Sequence, residues 1–232
     1  MKLGIMQPYF FPYIGYWQLI NAVDKYIIYD DVNFINRSWI NRNSILINDE
    51  SKRINLQLIG ASQNKLINEI EVLEDIIYKE KLLKTIETFY RKAQYYSEVF
   101  PVIENIINND EKNLARYLEY SIKKICEYLY IDTELIVSST IDKNNGLRGQ
   151  DKILEICKIL DGDEYYNAIG GQELYSYKDF ESKNIKLRFL NTGKVEYKQF
   201  NNEFVPNLSI IDVMMFNSIE DIKKMLDQYE LL

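Results

Sequence analysis

Short runs rich in Ile, Val and Tyr recur along this chain, and most are followed by a turn and a stretch of helical periodicity; this alternation limits the available folds more than any other feature. LGIM (3–6) reads as a strand that Pro8 ends, because proline cannot donate to a central ladder. A helix is expected from Ile14 through WQLINAV, then a second strand KYIIYDDVNF, and then a hairpin of SILIND and KRINLQLI turning at 48–51. From about 66 to 130 the pattern becomes helical (INEIEVL, YKEKLLKTIETFYRKA, VFPVIENII, NLARYLEYSIKKICEYL), with Pro101 near a helix start. Strand composition returns in TELIVSST, followed by helix QDKILEICKIL, strand EYYNAI, a short helix about ELYSYKDFESK, strands IKLRFLN and VEYKQF, and a closing helix IEDIKKMLDQYE. Strands separated by helices need crossover connections, so the expected fold is α/β: a Rossmann-like, mostly parallel sheet in one domain over 1–232, with 66–130 as a helical insertion or subdomain.

Charge narrows the partners. A formal net charge of -7 lacks the basic stripe that non-specific DNA binding requires, so an anionic ligand would have to meet a local basic pocket. Charges break every apolar run before the length of a membrane span, and Met1 leads directly into a strand without a basic leader, so a soluble cytoplasmic protein is expected. Cys126 and Cys157 each sit inside a helical apolar pattern without metal-ligand spacing and read as reduced core thiols. With no histidine in the chain, proton transfer falls to a carboxylate, Tyr, Lys, Cys or the substrate itself.

The chemically expressive residues gather at strand ends, where open α/β sheets bind ligands. Gln7, Pro8, Tyr9, Phe11, Tyr13, Gly15 and Tyr16 form an aromatic loop suited to stacking a base or sugar ring. Asp30 and Asp31 close the second strand; neighbours on a strand face opposite ways, and Asp31 is the choice for a general base or hydroxyl acceptor. With no third carboxylate nearby, the pair is not assigned a metal. Asn33, Arg37, Trp39, Asn41, Arg42 and Asn43 are the best candidates for gripping a diphosphate or carboxylate, because guanidinium forks make bidentate bonds; Arg42 ranks ahead of Arg37. Arg148, Gln150 and Asp151 open a helix that Asp151 is expected to cap, while Gly170 and Gly171, followed by Tyr175, offer backbone N–H groups or a tight turn. Ser209 and Asp212 are expected to cap a late helix.

Taken together, MQPYFFPYIGYWQLI, DDVNFINRSWINRN, RGQDKIL, YYNAIGGQELY and VEYKQFNNEFVPNLSIIDVMMFN resemble the WbqC-like family over essentially the whole chain. That resemblance implies work on a sugar nucleotide in bacterial O-antigen or other surface-polysaccharide assembly: a transferase that acylates or aminoacylates, even glycylates, a nucleotide-linked amino sugar. In this picture Asp31 and the aromatic loop hold the sugar nucleotide, Arg42 and Arg148 hold phosphates or the donor carboxylate, and Asp31 or Tyr16 takes the proton. The residues identify no cofactor. The turn Tyr13-Ile14-Gly15-Tyr16 also resembles the opening of HIGH-type nucleotidyltransferases, with tyrosines in both histidine positions. Tyrosine donates to phosphate without positive charge, and no KMSKS-like segment follows, although Lys194 and Lys198 could supply a late cation. The alternatives are therefore an ATP-using enzyme of that type or a non-catalytic sugar-nucleotide-binding protein.

Overall fold

The computed structural model describes residues 1–200 and 203–232. The chain runs β1 (Lys2–Met6), α1 (Ile14–Asn21) and β2 (Lys25–Ile28), then the hairpin β3 (Arg42–Ile47) and β4 (Glu50–Asn55), with a short pair β5 (Leu58–Ile59) and β6 (Glu71–Val72). Helices α2 (Ile76–Tyr90), α3 (Tyr96–Ile107) and α4 (Leu114–Leu129) follow, then β7 (Glu134–Val137), α5 (Gly149–Ile159), β8 (Glu164–Ala168), α6 (Tyr177–Glu181), β9 (Lys186–Thr192), α7 (Ile210–Phe216), α8 (Ile219–Leu226) and β10 (Tyr229–Leu231).

The fold is α/β, built on a six-stranded sheet in the order β10-β9-β8-β1-β2-β7. All neighbours pair in parallel except β10, which runs antiparallel to β9. Both faces are covered, which explains why the strands read as nearly continuous apolar runs. Leu3, Ile5 and Ile27 pack with Ile153, Ile156 and Phe180 on one side, while Tyr26 and Ile28 join the larger core of α1, α4, α7 and α8 on the other. Gly4 faces that larger core, where an added Cβ would lie 3.1 Å from the Tyr26 ring and 3.3 Å from Val23, so only glycine lets α1 settle this close to the sheet. Strand order reverses at β1, between β8 and β2, and the loops leaving β1 and β8 define the crevice of such sheets.

Five local expectations are corrected. The second strand stops at Ile28 instead of continuing through Phe34, because the Ser139 backbone N–H (2.9 Å) and hydroxyl (2.6 Å) both bind the Asp30 carboxylate and pull the chain out of the sheet. INEIEVL forms a 3-10 turn (Ile67–Glu69) and β6 rather than a helix. VEYKQF is irregular: Tyr197 and Gln199 turn their side chains to Asp212, and Gln199 also bonds Val205 in both directions, so side chains satisfy what a ladder would have. The closing helix ends at Leu226, where the buried Gln18 amide donates to the Met225 (2.8 Å) and Gln228 (3.0 Å) carbonyls, and β10 takes the remaining residues. Pro101 lies inside α3 rather than at its start. The hairpin forms with a two-residue turn, Asn48-Asp49, both at positive φ (50° and 62°), the conformation that Asn and Asp tolerate best after glycine.

Candidate functional site

The loop after β1 is held in shape from several directions. Phe11 has φ 44°, a left-handed conformation rare for a bulky residue, and is fully buried in the core. Its carbonyl accepts from Asn43 Nδ2 and Ser209 Oγ, both at 2.8 Å, while Asn43 also bonds the Phe10 carbonyl (3.2 Å) and Trp17 Nε1 donates to the Pro12 carbonyl (3.0 Å). The loop is therefore a rigid wall. At its far end Gly15 opens α1, and an added Cβ would come within 2.3 Å of Thr192 Oγ1 and 2.5 Å of the Tyr13 hydroxyl.

This wall borders a cleft of about 670 Å³ at the reversal point of the sheet. Gln7, Tyr9, Tyr13, Gly15 and Tyr16 line it from the β1 side, Trp39 from the following loop, Gln150 from α5, and Gly170, Gly171 and Tyr175 from the segment after β8. Four separated stretches of sequence thus meet around one opening. Tyr16 sits at its base, 2% exposed, donating to the Gln7 carbonyl at 3.1 Å. Burial pushes its phenol far above the ordinary tyrosine range, and its hydrogen bond to Gln7 helps shape the loop. Gln150 is anchored by bonds to Asp179 (2.8 Å) and the Ser176 N–H (2.6 Å). Gly171 approaches Asn167 so closely that a Cβ would lie 3.0 Å from its side-chain nitrogen.

A second pocket, of about 520 Å³, adjoins the cleft at the ends of β2 and β7; Tyr29, Val32 and Gly149 line both. Asp31 faces this second pocket with Asn33, Asn68, Arg148 and Lys152. The Asp31 carboxylate lies 2.8 Å from Lys143 Nζ and 3.0 Å from Lys152 Nζ, and these lysine side chains are 0% and 6% exposed. Lys152 also donates to the Asp31 carbonyl (2.9 Å) and lies 5.2 Å from the Tyr29 ring centre, while Lys143 donates to the Ser138 carbonyl. Burial pushes the Asp31 carboxyl up, but Lys143, Ser138 and Lys152 outweigh it and hold it below the usual carboxylate value. Asp30 points away from this pair, satisfied by Ser139 and by Asn68 at 3.2 Å.

The remaining candidates serve as supports or lie elsewhere. Pro8, Phe11 and Asn43 are buried supports. Asn33 donates to the Gln63 carbonyl at 2.8 Å and Asn41 to the Leu56 carbonyl at 3.0 Å, so each secures a loop. Arg37 and Arg42 line a different recess against β4, which corrects their expected place beside the aromatic loop: of 34–42, Ile35 and Trp39 line the cleft, while Phe34, Asn36, Arg37, Asn41 and Arg42 line the recess on the other side. Asp151 lies in the first turn of α5, whose N-cap is Arg148, so it favours the helix dipole without capping. Ser209 does cap α7, accepting from the Ile211 N–H at 3.2 Å. Asp212 instead is fully buried, accepting from Tyr90 (2.7 Å), Tyr197 (2.7 Å) and Gln199 (2.8 Å). Both cysteines are free and buried, with thiols pushed up to about 12 by desolvation. Among the described residues no cluster of His, Cys, Asp and Glu is arranged to hold a metal ion, and no helix is long and apolar enough to cross a membrane.

Sequence reasoning missed Tyr29, Lys143, Lys152 and Asn167. For Lys152 the signal was present: with Ile153, Ile156 and Cys157 it occupies the buried stripe of α5, and a lysine in an apolar stripe needs a buried counter-charge.

The sequence profile of the WbqC-like protein family matches residues 7–224, taking in the β1 loop, the Asp31 pocket and the segment after β8. The chain belongs to the WbqC-like family. This WbqC-like chain is 26% identical over 220 residues to an uncharacterized protein, Rv1507c, of Mycobacterium tuberculosis, a match that covers 93% of each chain. No solved structure matches it. Asn201 and Asn202, inside the late stretch that carries the family resemblance, lie outside the described residues.

Proposed function

We propose that this WbqC-like chain is a transferase of bacterial surface-polysaccharide (O-antigen) assembly that acylates or aminoacylates the amino group of a nucleotide-linked sugar. The observation that carries this reading is the pair of recesses sharing the wall of Tyr29, Val32 and Gly149: a two-substrate reaction needs two sites that open onto each other. The aromatic cleft suits the nucleoside and sugar, with Tyr9, Tyr13, Trp39 and Tyr175 as stacking and hydrogen-bonding surfaces and Gly170-Gly171 giving close backbone approach. The second pocket suits an acyl donor with an anionic group, which Arg148 and Lys152 attract.

In the transfer, the sugar amine attacks the donor carbonyl, a C–N bond forms, the bond to the leaving group breaks with its electron pair, and the departing group takes up the proton that the nitrogen loses. In this reading Lys152 steadies the developing oxyanion, and its contact with the Asp31 carboxylate at 3.0 Å orients it. Because its ammonium partners make Asp31 a weak base, the amine arrives as free base rather than being deprotonated by this carboxylate. Thermal unfolding with amino-sugar nucleotides, with ATP and with acyl donors tests the reading: a ligand at about a hundred times its Kd adds about 2.7 kcal/mol. Stabilisation by an amino-sugar nucleotide, and an acylated product seen by mass spectrometry once a donor is added, is the expected result. A response to ATP alone favours the nucleotidyltransferase alternative, and binding without product under every donor favours a non-catalytic role.

A further inference from the structure

The recess beside the hairpin is a site in its own right. Arg42 pairs with Asn55 and Arg53 with Ser44, so the two arginines are diagonal neighbours on one face of the β3–β4 ribbon, and Arg37 joins them from the preceding loop. Like charges placed this way weaken a hairpin unless something negative lies between them. Among the described residues nothing supplies it: no carboxylate lines this recess of about 650 Å³, and none of the three arginines forms an ion pair. Arg42 Nε is shut off from solvent and has no hydrogen-bond partner, a donor left open. Its burial and the nearness of Arg53 and Arg37 also draw the Arg42 guanidinium below its ordinary range.

We propose that this recess binds a small molecule through a diphosphate group, at a site separate from the switch-point cleft. Three guanidinium forks exceed what a single carboxylate can satisfy, whereas a diphosphate spreads its charge over several acceptor oxygens, each able to take charge-assisted bonds. The overall charge of -7 repels an extended polyanion, so the ligand is one whose charge fits wholly within the recess. The inference does not depend on the transferase reading.

Calorimetric titration of the full chain with inorganic pyrophosphate at low salt tests it, using the wild type, Arg53→Gln and Arg37→Gln. The wild type is expected to bind, with each substitution weakening affinity roughly tenfold or more, the worth of a charge-assisted hydrogen bond. Both substituted side chains are exposed, and without ligand each variant should unfold at the same temperature as the wild type or higher, since a like-charge contact is gone. No binding by the wild type, or unchanged affinity in both variants, overturns the proposal. So does tighter binding of a single-stranded oligonucleotide than of pyrophosphate, or destabilisation of either variant without ligand.

Discussion

Replacing Asp31 by Asn tests the charge arithmetic of the second pocket. At 2.8 and 3.0 Å each ammonium gains about 6 kcal/mol from the carboxylate if the effective dielectric constant is about 20. Removing the carboxylate strands two buried cations at once. Breaking a buried pair from one side loses about 3–5 kcal/mol, and Asp31→Asn should reach that range. Lys152→Met should lose only about 1–2 kcal/mol, because Lys143 still neutralises the carboxylate and methionine refills the volume while removing an ion that had to be desolvated. The double variant Asp31→Asn/Lys152→Met should recover part of the loss, since one stranded cation is gone. Urea unfolding at pH 7 measures all three, and in a thermal scan Asp31→Asn should melt roughly 6–20 °C lower. The pH dependence follows from the same contacts. Because the folded carboxyl is held below its ordinary value of 3.8, its contribution is complete above that value and is lost as pH falls through the folded value, so the acid limb of wild-type stability should be missing from Asp31→Asn. A smaller loss for Asp31→Asn than for Lys152→Met would mean that the carboxylate does not hold both ammonium groups.

Asp212→Ala leaves the Tyr90, Tyr197 and Gln199 donors without their acceptor and should lower stability in urea by about 2–6 kcal/mol, from about 1–3 kcal/mol for each of the two buried donors, Tyr90 and Gln199, since the half-buried Tyr197 can turn to water. The Asp212 carboxyl is raised by desolvation, so its contribution favours folding below the ordinary value of 3.8 and declines as pH rises through the raised one; Asp212→Asn should lack that decline in a pH series of melts. Gly15→Ala forces Tyr13 or Thr192 aside, and calorimetry should show an overpacking loss of about 1–3 kcal/mol together with weaker binding of the amino-sugar nucleotide. Trp39 is 48% exposed, so Trp39→Ala should change stability by no more than about 0.5 kcal/mol while reducing nucleotide affinity roughly tenfold; unchanged affinity would remove the indole from the binding surface.

The sheet was legible because β1, β2, β8 and β9 bury residues on both faces and β7 is half-buried at the edge, and burial of that kind writes itself into apolar runs. What misled was polar satisfaction at long range. VEYKQF has strand composition, yet Asp212 claims its side chains; INEIEVL has a helical period, yet it is too short to hold a helix against the pairing of β5 with β6. The cleft was legible from aromatic and glycine residues at strand ends, because topology alone brings those ends together. The basic groups were not. Arg37 and Arg42 lie within three positions of Trp39 but line a different recess, and Lys143 and Lys152 reach Asp31 from more than a hundred positions away.

The buried carboxylate of Asp212 also bears on the order in which the molecule assembles. Tyr90 accepts from the Leu46 N–H across 44 positions and donates to Asp212 across 122, so the junction closes only after the hairpin, the helix ending at Tyr90 and the penultimate helix have found one another. Contacts with such long chain closures are expected to be absent from the folding nucleus. In stopped-flow experiments Asp212→Ala should therefore leave the refolding rate nearly unaltered and accelerate unfolding, which makes this junction a latch on the lifetime of the native state rather than a guide to reaching it.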